Sequence, residues 1–142
     1  LDPSVSLQET VVAAAYTNNA PNLGTTTLFG LDSNADTLVR IGGVSGNPSP
    51  NLGAVTTIGT LGLTTDETQE LGFDIGTPTS TRALASFSVV GETTTKLYTI
   101  DLAGGRATLI GTIGGTDRVR DIAIHRAGAL ALDEATYTTN EN

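Results

Sequence analysis

The chain has no cysteine, methionine or tryptophan, one histidine (His125) and one lysine (Lys96). Without cysteine there are no disulfides, no thiolate nucleophile and no zinc–thiolate site. A lone histidine cannot build a histidine-rich metal centre, and no G-x-S-x-G motif is present to use it as a base. His125 therefore reads as a solvated or core-edge residue, and the chain as a protein that is not an enzyme. Charge is scarce as well, at 15% of residues, below the usual quarter. Seven Lys and Arg against fifteen Asp and Glu leave a net −8. That balance repels phosphate backbones and anionic lipid surfaces, which argues against generic nucleic-acid binding and electrostatic membrane docking. No apolar run reaches the length of roughly 18 residues that a membrane span needs; VVAAAY at 11–16 is the densest.

What fills the space is glycine, 17 residues of it, and threonine. Both favour strands and tight turns over helices. A length of 142 residues suits one domain with a modest core. Residues 1–10 are polar, contain Pro3 and read as an extended N-terminal arm. They lack the basic start and apolar middle of a signal peptide, and the chain opens on Leu1. The expectation is a mature product or a fragment whose export signal has been removed.

Strands are expected at 11–19, at 25–33 and 36–43 as a hairpin across Asn34-Ala35, and at 54–62, 71–76, 82–91, 95–102 and 106–114. A last pair is expected at 119–126 and 129–133, before a polar tail at 134–142. VSGNPSPNLG at 44–53 must be a loop, and LTTDETQE at 63–70 is the one stretch that could form a helical turn. Turn signals every 8–12 residues or so, with no sustained helical period, give an all-β reading. Alternation puts Tyr98, Ile100 and Leu102 on one face of their strand. In the next strand it groups Ala107, Leu109, Gly111 and Ile113.

The chain also repeats itself. GAVTTIGTLG (53–62) matches GRATLIGTIG (105–114) at Gly53/Gly105, Thr56/Thr108, Ile58/Ile110, Gly59/Gly111, Thr60/Thr112 and Gly62/Gly114. TTTLFGLD (25–32) resembles TTKLYTID (94–101), with an aromatic after Leu and a closing Asp. A four-strand unit of about fifty residues is the size of a propeller blade. The fold expected of 11–133 is thus all-β, two to three propeller-like antiparallel blades forming a partial or open β-propeller. Closed propellers need roughly 4–8 blades, so completion by association is expected.

The ordered motifs VVAAAYTNN, TTTLFGLDSNADTLVRIGG, GAVTTIGTLG, GFDI, KLYTIDLAGGRATLIGTIGG and VRDIAI resemble the C-terminal half of an exported bacterial family. It is known as domain of unknown function 4394, and the resemblance runs over about residues 11–124. It implies a propeller-like fold and export, and it brings no established activity or catalytic residues. The family's N-terminal half has no counterpart here, and the tail after Ile124 runs past its usual end.

Two clusters could carry chemistry. Asp32, Asn34 and Asp36 spell D-x-N-x-D, the opening of a calcium loop. The sixth position is Thr37 instead of Gly and the twelfth is Gly43 instead of a bidentate Glu, so a hairpin turn competes with a weak oxygen-ligand calcium site. Arg118 and Arg120 would share one strand face, with Asp117 and Asp121 on the other. They read either as a carboxylate-binding pair at an interface or as cross-strand ion pairing.

These observations lead to a non-enzymatic, secreted or extracellular module acting in structural self-assembly or surface interaction, at a cell surface, in the periplasm or free. Its partners would be copies of itself, joined through added strands from 1–10 or 134–142. The alternative is half of a split propeller that binds a small ligand or glycan once joined to its missing blades.

Overall fold

A computed structural model describes residues 10–20, 22–66, 70–76, 82–115 and 117–125. Eight strands follow in order: β1 Val11–Tyr16, β2 Leu28–Asp32, β3 Thr37–Ile41, β4 Val55–Thr60, β5 Gly72–Ile75, β6 Ala83–Phe87, β7 Lys96–Ile100 and β8 Ala107–Thr112. They form two open, four-stranded antiparallel meanders, β1-β2-β3-β4 and β5-β6-β7-β8. The all-β expectation holds, and each strand lies within a stretch whose boundaries were set by turn residues.

The hairpin across Asn34-Ala35 shows why. The Asp32 carboxylate accepts hydrogen bonds from the Asn34 and Ala35 N–H groups at 2.9 and 3.1 Å. Asp36 then turns the chain with φ 53, a conformation Asp tolerates better than most side chains. The β3–β4 loop consists of two single 3-10 turns, Val44–Gly46 and Pro50–Leu52, and leaves through Gly53 at φ 69. Between β7 and β8 the turn is tighter: Gly105, at φ 84, donates its N–H to the Asp101 carbonyl at 2.7 Å.

The sheets stack face to face. Leu31 and Leu38, with Leu61 just beyond β4, pack against Phe73, Ile75, Ala83, Ala85, Phe87, Tyr98 and Ile100. Phe87 and Tyr98 stack at 4.2 Å between ring centroids, 6° from parallel. Tyr98 and Ile100 share the buried face as alternation requires. The grouping of Gly111 with Leu109 does not survive, because a bulge intervenes. Tyr98 pairs with Leu109 and Leu97 with Gly111, which leaves Ile110 extra and shifts the phase by one. The first sheet carries the same bulge: Leu38 pairs with Gly59 and Val39 with Thr57, leaving Ile58 extra. The repeated strand thus repeats an irregularity as well as a strand.

Three expectations are corrected. Residues 63–66 form no helical turn; Thr65 makes an isolated bridge to Val89. Its N–H and hydroxyl both bond the Asp36 carboxylate, at 2.7 and 2.8 Å, which holds the segment extended. Residues 119–125 pair with no strand among the described residues, while 129–133, residues 1–9 of the arm expected at 1–10, and the tail at 134–142 lie outside them. Lastly, TTTLFGLD and TTKLYTID hold different places: β2 is second in its sheet and β7 third. What they share is the turn after the strand, since Asp101 accepts from Ala103 N–H at 3.0 Å much as Asp32 accepts from Asn34.

Candidate functional site

Two features stand out: a cleft beside the first strand of each sheet, and the joint between the sheets. The cleft, about 650 Å³, lies between β1 (Val12 to Ala14), β5 with the two residues before it, and residues 120–123. Residues 118–125 reach it by running across β5 on the side away from the first sheet. Val119 N–H bonds the Thr95 hydroxyl at 3.1 Å, and Ile124 N–H bonds the Asp74 carboxylate at 2.6 Å. Gly72 permits the approach, because a side chain there would lie 2.8 Å from the Ile122 nitrogen. Asp74 also accepts from Ile75 N–H at 2.8 Å, so its carboxylate is a clip between β5 and the crossing segment. The rim carries Glu70, Asp121 and Arg120; Arg120 Nε meets Glu70 at 3.3 Å with both side chains largely exposed, a pair worth at most about 1 kcal/mol.

Of the two arginines expected together, only Arg120 lines the cleft; Arg118 is exposed elsewhere on the segment. The carboxylates of Asp32 and Asp36 are engaged with N–H groups of the hairpin and of Thr65, and Asn34 contributes its own N–H to Asp32. Among the described residues no three His, Asp or Glu side chains are grouped so as to hold a metal ion.

The joint is backbone on backbone. A side chain on Gly59 would overlap the Gly104 carbonyl, and one on Gly105 would overlap the Gly59 carbonyl. Beside this contact Ala107 donates its N–H to the Leu61 carbonyl at 3.0 Å. The repeat supplies a second set of the same parts, 52 positions away in each case. Gly111 stands for Gly59, Gly53 for Gly105, Ile113 for Leu61 and Val55 for Ala107. Among the described residues neither Gly111 nor Gly53 has a neighbour where a side chain would go. Leu38 is wholly buried against the second sheet, whereas Leu97, its counterpart opposite Gly111, is half-buried. The repeat was the available signal for this joint. What single-strand patterns could not show is that its glycines meet across sheets.

Fold and site together define an all-β protein of two stacked four-stranded sheets, with one joint made at Gly59 and Gly105 and the matching glycines, Gly111 and Gly53, open among the described residues. The model of a family described as a domain of unknown function (DUF4394) matches residues 1–123, and the chain belongs to that family. No curated protein and no solved structure matches it.

Proposed function

We propose that the chain is a non-enzymatic, exported β-repeat module whose role is structural self-assembly or surface interaction. The two meanders are read as neighbouring blades of an open β-propeller, with residues 120–124 at the place of the innermost strand of a third. One observation carries the reading. Leu109 and Ile110 on the last strand are 54% and 53% exposed, while Ile58, the counterpart of Ile110, is packed against the core. Adjacent exposed apolar residues on an edge strand favour association. A net −8 and the absence of cysteine suit an exported particle that does without disulfides.

The experiment is sedimentation of the purified chain across a wide concentration range, alone and after removal of residues 1–9, with circular dichroism as the folding control. A concentration-dependent particle larger than the monomer supports assembly. A strict monomer at the highest concentrations ends the reading. Loss of association on removing 1–9, with the fold intact, assigns the contact to strand addition by the arm.

A second reading rests on the cleft. Its volume of about 650 Å³ falls in the ~300–1,000 Å³ range of small-ligand sites. Glu70, Asp121 and Arg120 at its rim supply hydrogen-bonding groups of the kind a glycan takes. A glycan array probed with wild type and Arg120→Ala tests it; binding that is absent, or that survives the substitution unchanged, rules this cleft out as the site.

A further inference from the structure

The duplicate joint points to a particular partner. We infer that the occupant of the Gly111 face is a second copy of this chain, seated head to tail through its β3–β4 loop. The inference rests on the self-assembly reading and names its contact. Within one chain, the Gly59 face of the first sheet receives the Gly104–Gly105 turn of the second. The second sheet carries that receiving face again at Gly111, opposite Leu97 and beside Ile113. The first sheet carries the inserting part again, since Gly53 holds the same left-handed conformation as Gly105, φ 69 against 84. The receiving face lies on the last sheet and the inserting loop on the first, so neither can satisfy the other within one copy of a two-sheet stack. Between copies they match at the repeated strand, because Gly111 and Gly53 stand 52 positions from the two glycines already fitted inside the molecule; the loop that brings in Gly53 is longer, with two 3-10 turns and Leu52 in the place of Gly104.

The surface chemistry agrees. Leu52, just before Gly53, is 73% exposed, and Ile110, the bulge residue next to Gly111 and the counterpart of the core-packed Ile58, is 53% exposed. Burying apolar side chains in one contact favours association, and Leu97, Thr99, Thr108, Gly111 and Ile113 on this face are neutral. Asp74 shares the row of Thr99 and Thr108, so the N–H it accepts from Ile124 has to be replaced by one from the incoming strand. Residues 120–124 lie against β5 on the same side, in the slot that β1 of an incoming copy takes. Docking therefore exchanges the chain's own segment for the partner's strand. Because the two surfaces differ, the contact is heterologous; it closes into a ring if the rotation per copy allows and otherwise runs on as a filament. With two sheets per copy and roughly 4–8 sheets in closed propellers, a ring holds about two to four copies.

The test is Gly111→Val in the full chain. Gly111 is outside the left-handed region and a side chain there meets none of the described residues, so the monomer should fold as wild type does, with an unchanged unfolding midpoint. The valine stands where the partner's loop carbonyl must sit, and association should weaken at least about tenfold by sedimentation. Mixing gives a second readout. The variant keeps an intact Gly53 loop, so adding it to wild type should cap growing chains or open rings and reduce the mean particle mass. If Gly111→Val assembles to the wild-type mass, the head-to-tail contact is wrong while self-assembly stands. If wild type itself stays monomeric at every concentration, both fall.

Discussion

Gly59→Ala and Gly111→Ala make the same chemical change at equivalent places in the repeated strand, and the structure separates their outcomes. At Gly59 the new methyl overlaps the Gly104 carbonyl, which is backbone and is held by the Asp101–Gly105 turn. Neither partner is a flexible side-chain tip, so the sheets must part or tilt. Overpacking of that kind costs about 1–3 kcal/mol, and the upper part of the range applies because the Ala107–Leu61 hydrogen bond beside it is strained at the same time. In a chain of this length, 2–3 kcal/mol lowers the unfolding midpoint by roughly 4–12 °C. At Gly111 the methyl enters open space, and replacing a strand glycine removes unfolded-state freedom, so the expected effect is between zero and about 1 kcal/mol of stabilisation. Urea and thermal unfolding followed by circular dichroism, at concentrations where the chain is dissociated, measure both. Equal losses at the two positions would refute the reasoning. They would mean that glycine is needed for the bulged backbone itself, which the two strands share, and that the contact between sheets has little to do with it.

Other outcomes follow from the same packing. Phe87→Ala empties a fully buried site against the Tyr98 ring, and urea unfolding should show a loss of about 3–5 kcal/mol; under 1 kcal/mol would mean the sheets reclose over the gap. Asp36→Ala removes the acceptor of Thr65 N–H and the nearer of two acceptors of its buried hydroxyl, which keeps the Ser33 carbonyl at 3.3 Å, so a loss of about 1–3 kcal/mol is expected, with faster amide exchange at Thr65 as the local signature. Alkaline stability should fall for a definite reason. Burial pushes the Tyr98 phenol above its ordinary 10.0, and the hydrogen bond to Glu92 holds Lys96 above 10.5 against the opposing effect of its own partial burial. Both groups are harder to deprotonate in the folded chain, so the stability they contribute is complete below pH 10 and is lost as pH rises through the raised values. Tyr98→Phe should flatten that decline, and ultraviolet absorbance should show a late tyrosine ionisation in the wild type that the variant lacks. A decline unchanged by the substitution would remove Tyr98 from the account.

Strand positions were legible because each is bracketed by residues that turn the chain: Asp32 and Asp36 around Asn34-Ala35, Gly53 before β4, Gly105 before β8. The equivalence of β4 and β8 was legible too, since identical glycines and isoleucines recur at fixed spacing. The bulges were not. Ile58 and Ile110 continue an unbroken alternation in the sequence, and only the partner strand shows that they face no one. The likeness of TTTLFGLD to TTKLYTID was real but concerned a local turn, because an Asp that holds the next N–H groups can end any strand in a sheet. The cleft was the least accessible feature. Its walls come from residues near 13, 73 and 122, and the clip from Asp74 to Ile124 is a contact across fifty positions that no short-range pattern encodes.

The ten-residue tract present at 53–62 and again at 105–114 makes the joint a property of a short stretch of chain, encoded twice over. A gene with two such tracts can lose or gain the segment between them by unequal recombination. The product of that exchange still carries an intact tract at the seam, with its bulge and its glycine. Gain or loss of that segment would change the chain by 52 residues and keep a bulged strand at the seam, whereas an insertion out of step with that increment would leave a strand with no sheet to join.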